Sequence, residues 1–222
     1  MKKIIAFSLW GDNPKYCIGA IKNAKLRKRY YPDWICKFYI HKDVPLKYIN
    51  ELKNIENTEI SICDSDPDWK FTTERFCAID EEDVLYVIFR DTDSRLNRRE
   101  ADAVNQWIEE DKAIHIMKDH PYHGSFPILA GMWGINKNKF LYSMKKTLNS
   151  YKTHNIKEQY HYDQIFLASY IWPNFSKNAT IHDEFFTKND FPTQRIKDQF
   201  VGQSFDENDN TPEEHVHCLY IS

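Results

Sequence analysis

The sequence predicts an α/β fold built on a mainly parallel central sheet flanked by helices. Three observations predict it. Through Phe89, short apolar runs alternate with helix-period segments in the order β-α-β-α-β-α-β. The runs Ile4–Leu9 and Val84–Phe89 are apolar at consecutive positions, which marks strands covered on both faces. Nothing in the 222 residues reads as a linker or a repeat, so a single domain with an irregular C-terminal tail is expected.

Ile4–Leu9 is the first strand. Asn13 then caps and Pro14 opens a helix reaching about Tyr30, with Cys17, Ala20, Ile21 and Ala24 on one face and Lys22, Lys25 and Lys28 outside. Pro32 ends it. Ile35–Ile40 reads as a second strand, Leu46–Leu52 as a short helix and Glu59–Cys63 as a third strand. A helix around Thr73–Ile79 leads into Val84–Phe89, the most apolar strand of the chain. Beyond it come an amphipathic helix at Arg98–Glu110, a strand at Ala113–Met117, and a glycine- and tryptophan-bearing strand at Ile128–Ile135. Helices near Lys137–Ser150 and Gln159–Ile171 follow, and from about Thr187 the pattern is weak and polar. Within the single domain 1–222, residues 1–95 form the expected first half, which ends in the two carboxylates Asp91 and Asp93, and 96–190 the second. Residues 191–222 form a wrapping tail.

Composition narrows the function. Glycine occurs six times, where usage of roughly 7% gives about 15. There is no G-x-G and no G-x-x-x-x-G-K, so phosphate is not wrapped by a glycine-rich loop. A net charge of −3 lacks the basic footprint of a nucleic-acid binder. Five cysteines, an odd number without a C-x-x-C pair, fit a reducing, cytoplasmic setting better than a disulfide framework or a zinc ribbon. The start, Met1-Lys2-Lys3 before Ile4–Trp10, mimics a signal peptide, but Gly11-Asp12-Asn13-Pro14 stops the apolar run early. No stretch approaches the roughly 20 apolar residues that cross a bilayer. Any membrane association is expected to be peripheral, through the acceptor.

The stretch that carries chemistry is Val84-Leu-Tyr-Val-Ile-Phe-Arg-Asp91-Thr-Asp93-Ser-Arg95. A buried strand ends in two carboxylates at i and i+2, which share a face in extended geometry. In open parallel sheets ligands bind beyond the carboxyl ends of the strands. Two convergent carboxylates there suit Mg²⁺ or Mn²⁺, with water and substrate phosphates completing the shell. The bland alternative is a pair of solvated turn residues.

Other residues carry paired readings. Arg90, Arg95, Arg98 and Arg99 flank the motif; one guanidinium can clamp a diphosphate and stabilise the departing nucleotide. Arg95 is the candidate catalytic one, whereas Arg98 and Arg99 read better as ion-pair partners of nearby carboxylates. Arg75, on the preceding helix, is a candidate nucleotide or acceptor contact. Gly131 and Gly134 flank Trp133, whose ring either faces a sugar or fills the core. His115 reads as a core residue, His120 to Gly124 as an active-site loop, and His215-x-His217-Cys218 as structural. Asp163 sits near the inward face of its helix and needs a partner or a task. That task is general-base chemistry on a substrate hydroxyl, or the orientation of a bound substrate.

These features resemble a nucleotide-sugar glycosyltransferase of the GT-A fold. The resemblance is carried by ordered blocks: Arg75-Phe76, Arg90-Asp-Thr-Asp-Ser-Arg95, Ala103-Val-Asn-Gln-Trp107 and His115-Ile-Met-Lys-Asp-His-Pro-Tyr-His123, then Gly131-Met-Trp-Gly134, Asp163-Gln-Ile-Phe-Leu167, Ile171-Trp-Pro173 and His182-Asp183. More narrowly the chain is similar to glycosyltransferase-like proteins of polysaccharide-synthesis loci, and its block order is similar to the retaining family that includes glycogenin. That resemblance implies Asp93 as a direct metal ligand, Asp91 on the metal or the ribose, and His182 as a third ligand. It implies Asp163 and Gln164 beside the donor sugar and acceptor hydroxyl, and Phe7, Ser8 and Leu9 cradling the nucleoside. It implies a UDP- or GDP-type sugar donor and a glycan or lipid-linked acceptor, with 1–95 as the nucleotide-binding half and 96–190 as the acceptor and sugar half. The closing H-x-x-G-x-x-K-P-W pattern of that family is missing, since Asp-Glu-Phe-Phe follows His182. A haloacid-dehalogenase-like phosphatase and a non-catalytic sugar-nucleotide-binding domain stand as alternatives.

Overall fold

The computed structural model describes residues 1–154 and 160–220. Strand β1 (Lys2–Leu9) is the spine of the fold, and its two faces explain its unbroken apolar run. Ile5, Phe7 and Leu9 pack with Cys17, Ala20 and Ala24 of helix α1 (Pro14–Tyr30), while Ile4 and Ala6 belong to a second core. Asn13 caps α1 as expected, its Oδ1 accepting from Lys15 N at 3.0 Å, and Pro14 occupies the first turn.

Three parallel strands flank or extend β1: β2 (Ile35–His41), β3 (Thr58–Cys63) and β4 (Val84–Arg90). Helices α2 (Leu46–Lys53) and α3 (Arg98–Glu109) join α1 on one face, contributing Ile49, Leu52, Ala101, Val104 and Trp107 to that core. On the other face the core is aromatic. Trp133 stacks on Phe89 (4.4 Å between centroids), and Phe76 meets both edge-on at 5.1 to 5.3 Å.

The sheet has seven strands in the order β3-β2-β1-β4-β6-β5-β7, with β5 at Ile114–Lys118, β6 at Met132–Asn136 and β7 at Ala179–Asp183. Strand β6 is wedged antiparallel between β4 and β5, and the other four pairings are parallel. Its register sets Met132 opposite Arg90. The start of β6 therefore lies beside the carboxyl end of β4.

Several expected elements take another form. The helix expected at Thr73–Ile79 is a longer 3-10 helix, Trp69–Asp80, capped by Asp68, which accepts from Lys70 N at 2.7 Å. The strand expected from Ile128 begins only at Met132, because Met132 N closes a turn onto Leu129 O that contains Gly131. Where one helix was expected over Lys137–Ser150 there is a 3-10 turn (Lys137–Lys139) and then α4 (Met144–His154). Asp80 starts α4 by accepting from Met144 N and Lys145 N. Gln159, the expected start of the next helix, lies outside the described residues. The helix is seen as α5 (Tyr162–Phe166), a π-turn at Leu167–Ile171, and α6 (Trp172–Phe175).

The tail beyond Phe191 is irregular apart from α7 (Glu213–Cys218). A buried ionic cluster fastens it to the sheet. Asp119 receives Arg99 through both oxygens at 2.9 Å, Arg195 at 2.7 Å and Val201 N at 2.8 Å.

Candidate active site

Beyond the carboxyl ends of β1 and β4 lies a cavity of about 670 Å³. Both parts of the chain on either side of residue 95 line it, as does Gly202 of the tail. Asp91, Asp93 and Asp163 all face it, as do Ser8, Leu9, Arg75, Gly131 and Gln164.

The D-x-D is a turn rather than an extended segment. Ser94 N and Oγ both donate to Asp91 O, at 3.3 and 2.8 Å. The expected shared face of an extended pair does not apply, yet the turn aims both carboxylates into the same cavity. Close packing holds the turn. A Cβ on Gly19 of α1 would overlap Thr92 O, and buried Asn23 Nδ2 donates to Thr92 O and Ser94 O while its Oδ1 accepts from Leu96 N. On the opposite side Gly131 lies against the motif, where an added Cβ would overlap the Asp91 carboxylate and force it to shift.

Arg75 organises the carboxylates. It is buried, its Nη1 donates to Asp91 Oδ1 (2.5 Å) and Arg90 O (2.7 Å), and its Nη2 donates to Asp163 Oδ2 at 3.2 Å. Ser8 seats the 3-10 helix that carries Arg75: its Oγ donates to Thr72 O and accepts from Arg75 N, both at 3.2 Å. Burial pushes the Asp163 carboxyl pKa up; the Arg75 charge pulls it back only in part, and the Asp91 charge adds to the rise. Burial opposes the Arg75 charge, but Asp91 and Asp163 outweigh it and hold the guanidinium pKa above its ordinary value. Asp93 takes a different cation, with Lys15 Nζ 2.8 Å from its Oδ2 and Ser204 Oγ donating to the same oxygen at 2.9 Å.

Four expected site residues sit elsewhere. Phe7 is fully buried and stacks on Phe38 at 4.8 Å, so no nucleoside meets its ring; the end of β1 reaches the cavity through Ser8 and Leu9. Trp133 is sealed in the aromatic core, its alternation in β6 opposite to that of a cavity-facing residue. Arg95 turns away to the tail, pairing with Asp209 (2.9 Å) and Asp206 O (3.0 Å), while its Nη1 donates to Thr92 O and Ser94 O. It braces the motif and does not line the cavity. His182 is on the far edge strand β7, three strands from β4, buried and 2.9 Å from His115 Nε2. The expectation of a third metal ligand there is corrected. Among the described residues no group of three His, Cys, Asp or Glu is arranged to hold a metal.

The flanking arginines pair as the bland reading had it. Arg98 grips Asp102 one turn along α3, and Arg90 is buried against Glu100. His115 is a core residue. Of the loop histidines, His123 reaches the cavity while His120 Nε2 donates to His215 O of the tail at 2.8 Å. Lys15, Asn23 and Ser204 escaped the sequence reading. Asn23 left the one usable trace, a polar residue next to the inward positions Ala20 and Ala24.

The donor set fits a hard divalent cation. Asp91 and Asp93 offer only carboxylate oxygens, and the missing Cβ of Gly131 leaves a cradle for the Asp91 carboxylate.

No family model matches the sequence, and no curated protein matches it. Solved structures do. A glycosyltransferase involved in glycosylation of the major capsid of PBCV-1 superposes with a TM-score of 0.52 at 13% identity, over 86% of this chain and 91% of that one. The galactosyltransferase LgtC, bound to donor and acceptor sugar analogs, gives 0.53 at 14% identity, over 84% of this chain and 74% of that one. The chain has the GT-A fold. Nucleotidyltransferases share this architecture: the 4-diphosphocytidyl-2C-methyl-D-erythritol synthase of Anaerococcus prevotii gives 0.51 at 11% identity, over 87% of this chain and 92% of that one.

Proposed function

We propose that this chain is a glycosyltransferase that moves a sugar from a nucleoside-diphosphate sugar, of UDP or GDP type, to a hydroxyl of a glycan or lipid-linked acceptor. The observation that carries the reading is the convergence of Asp91, Asp93 and Asp163 on one cavity at the carboxyl ends of β1 and β4. The setting is polysaccharide synthesis at the cytoplasmic side of a membrane, consistent with helices none of which, among the described residues, is long and apolar enough to cross one.

Each residue has a task in this reading. Asp91 and Asp93 hold Mn²⁺ or Mg²⁺, which neutralises the leaving diphosphate when bound. The N-terminus of α1, whose residues Asn13 and Tyr16 line the cavity, favours the same anion. Arg75 fixes the distance between the metal-side carboxylate Asp91 and the sugar-side carboxylate Asp163. Asp163, with its pKa raised, takes the acceptor proton in an inverting reaction or orients the donor in a retaining one. Gln164 supports this placement, because its buried Oε1 has no partner among the described residues.

A haloacid-dehalogenase-like reaction draws no support. It needs Asp91 as a free nucleophile, and Asp91 Oδ1 is engaged by Arg75. A non-catalytic binding domain predicts the same nucleotide affinity without turnover.

The test is thermal stabilisation by a panel of nucleoside diphosphates with and without Mn²⁺, followed by donor-sugar hydrolysis or transfer. Metal-dependent stabilisation that vanishes in Asp93→Ala supports the transferase. No nucleotide effect across the panel rejects it.

A further inference from the structure

Lys15 stands in the first turn of α1 with its Nζ on Asp93, and nothing in helix packing calls for a lysine there. The other lysines paired from this helix serve other contacts, Lys22 to Asp209 and Glu207 O of the tail and Lys25 to Glu51. Around the D-x-D, three carboxylates (Asp91, Asp93, Asp163) face two protein cations, Arg75 and Lys15. These cations differ in freedom. Arg75 is buried and locked between two carboxylates and a carbonyl. Lys15 is 31% exposed on a flexible four-carbon stem and holds a single carboxylate oxygen, which Ser204 also occupies. A divalent cation at Asp91 and Asp93 competes with Lys15 for Asp93, whereas a diphosphate beside the α1 N-terminus attracts the ammonium.

We propose that Lys15 is the resident counter-ion of the D-x-D and becomes a diphosphate-binding residue when a divalent cation takes over its carboxylate. The inference rests on the reading of the cavity as a sugar-nucleotide site. In it, Lys15 keeps Asp91 and Asp93 from repelling each other before the donor arrives. It then contributes its charge to the same diphosphate that the metal neutralises. The metal and the nucleotide are coupled through one side chain that answers to each with opposite sign.

Isothermal titration of the full chain separates these effects. Mn²⁺ alone is titrated first, then UDP and GDP each at saturating Mn²⁺, for the wild type, Lys15→Met, Lys15→Arg and Lys22→Met. Lys15→Met is expected to bind Mn²⁺ alone at least about fivefold tighter and the nucleotide at least about fivefold weaker, the lower end of ordinary coupling between sites. Lys15→Arg is expected to keep the nucleotide affinity, and Lys22→Met to change neither. Loss or constancy of both affinities in Lys15→Met overturns the proposal, as does an equal response in Lys22→Met. A wild type that binds Mn²⁺ and nucleotide with Lys15→Met unshifted overturns the Lys15 role alone. A wild type that binds neither rejects the sugar-nucleotide reading, and the Lys15 role with it.

Discussion

Gly131 lies directly against Asp91, closely enough that a single added methyl group would overlap the carboxylate. The antiparallel register of β4 and β6 brings them together, since Met132 pairs with Arg90 and the next positions out are Gly131 and Asp91. Gly131→Ala is expected to cost about 1–3 kcal/mol of stability through overpacking. It should also weaken Mn²⁺ binding by displacing Asp91. Urea denaturation and metal titration check both, and an alanine variant with wild-type metal affinity contradicts the cradle.

Among the described residues Arg75 is the one cation shared by Asp91 and Asp163. Arg75→Gln leaves the buried Asp163 without its partner, a change expected to cost about 3–5 kcal/mol. Adding Asp163→Asn should recover a substantial part of that loss, because the stranded charge is gone. A strictly additive double variant would show that the pair is not coupled.

Asp163 carries a raised pKa in the folded state, so its ionisation works against folding at neutral pH. That penalty is full above the folded-state pKa and absent below the unfolded one. Asp163→Asn is therefore expected to melt at an equal or higher temperature at pH 7 while losing transfer activity. The acid limb of kcat/KM should lie above the ordinary carboxylate range of about 3.9. A variant that both unfolds early and keeps its turnover refutes the assignment.

The buried pair His115 and His182 predicts acid sensitivity. Burial lowers both pKa values, that of His182 to about 4, and a proton on the accepting ring nitrogen removes the acceptor of their shared hydrogen bond. Between pH 6.5 and about 4 the unfolded chain binds protons that the folded one refuses, so stability falls as pH falls. Each histidine adds about 1.4 kcal/mol per pH unit to that slope once below its unfolded pKa. Denaturation series at pH 7, 6 and 5 measure it, and His182→Gln should flatten the dependence.

Asp119 ties the tail to the sheet through Arg99, Arg195 and Val201 N. Asp119→Ala removes the buried carboxylate that both guanidinium groups share, leaves them Glu184 as their ionic partner, and is expected to cost about 3–5 kcal/mol. The variant should also release the tail to protease, and with it the Ser204 contact to Asp93. Unchanged proteolysis would mean the cluster does not fasten the tail.

Much of this molecule was legible in residue order. The runs at β1 and β4 announced strands covered on both faces, Asn13-Pro14 announced the start of α1, and the abrupt end of β4 in Asp91 and Asp93 marked where the cavity lies. Those signals are local: apolar period, capping chemistry and the polarity change at a strand end act within a few residues. Three features were decided only by tertiary structure. The insertion of β6 between β4 and β5 put Gly131 against Asp91 and sealed Trp133 in the core. The sheet order carried His182 to an edge far from the D-x-D. The tail and α1 supplied Ser204 and Lys15 to Asp93 across 111 and 78 residues of chain. Which side chain meets which depends on strand order and register, and no spacing along a single strand or helix encodes either of those.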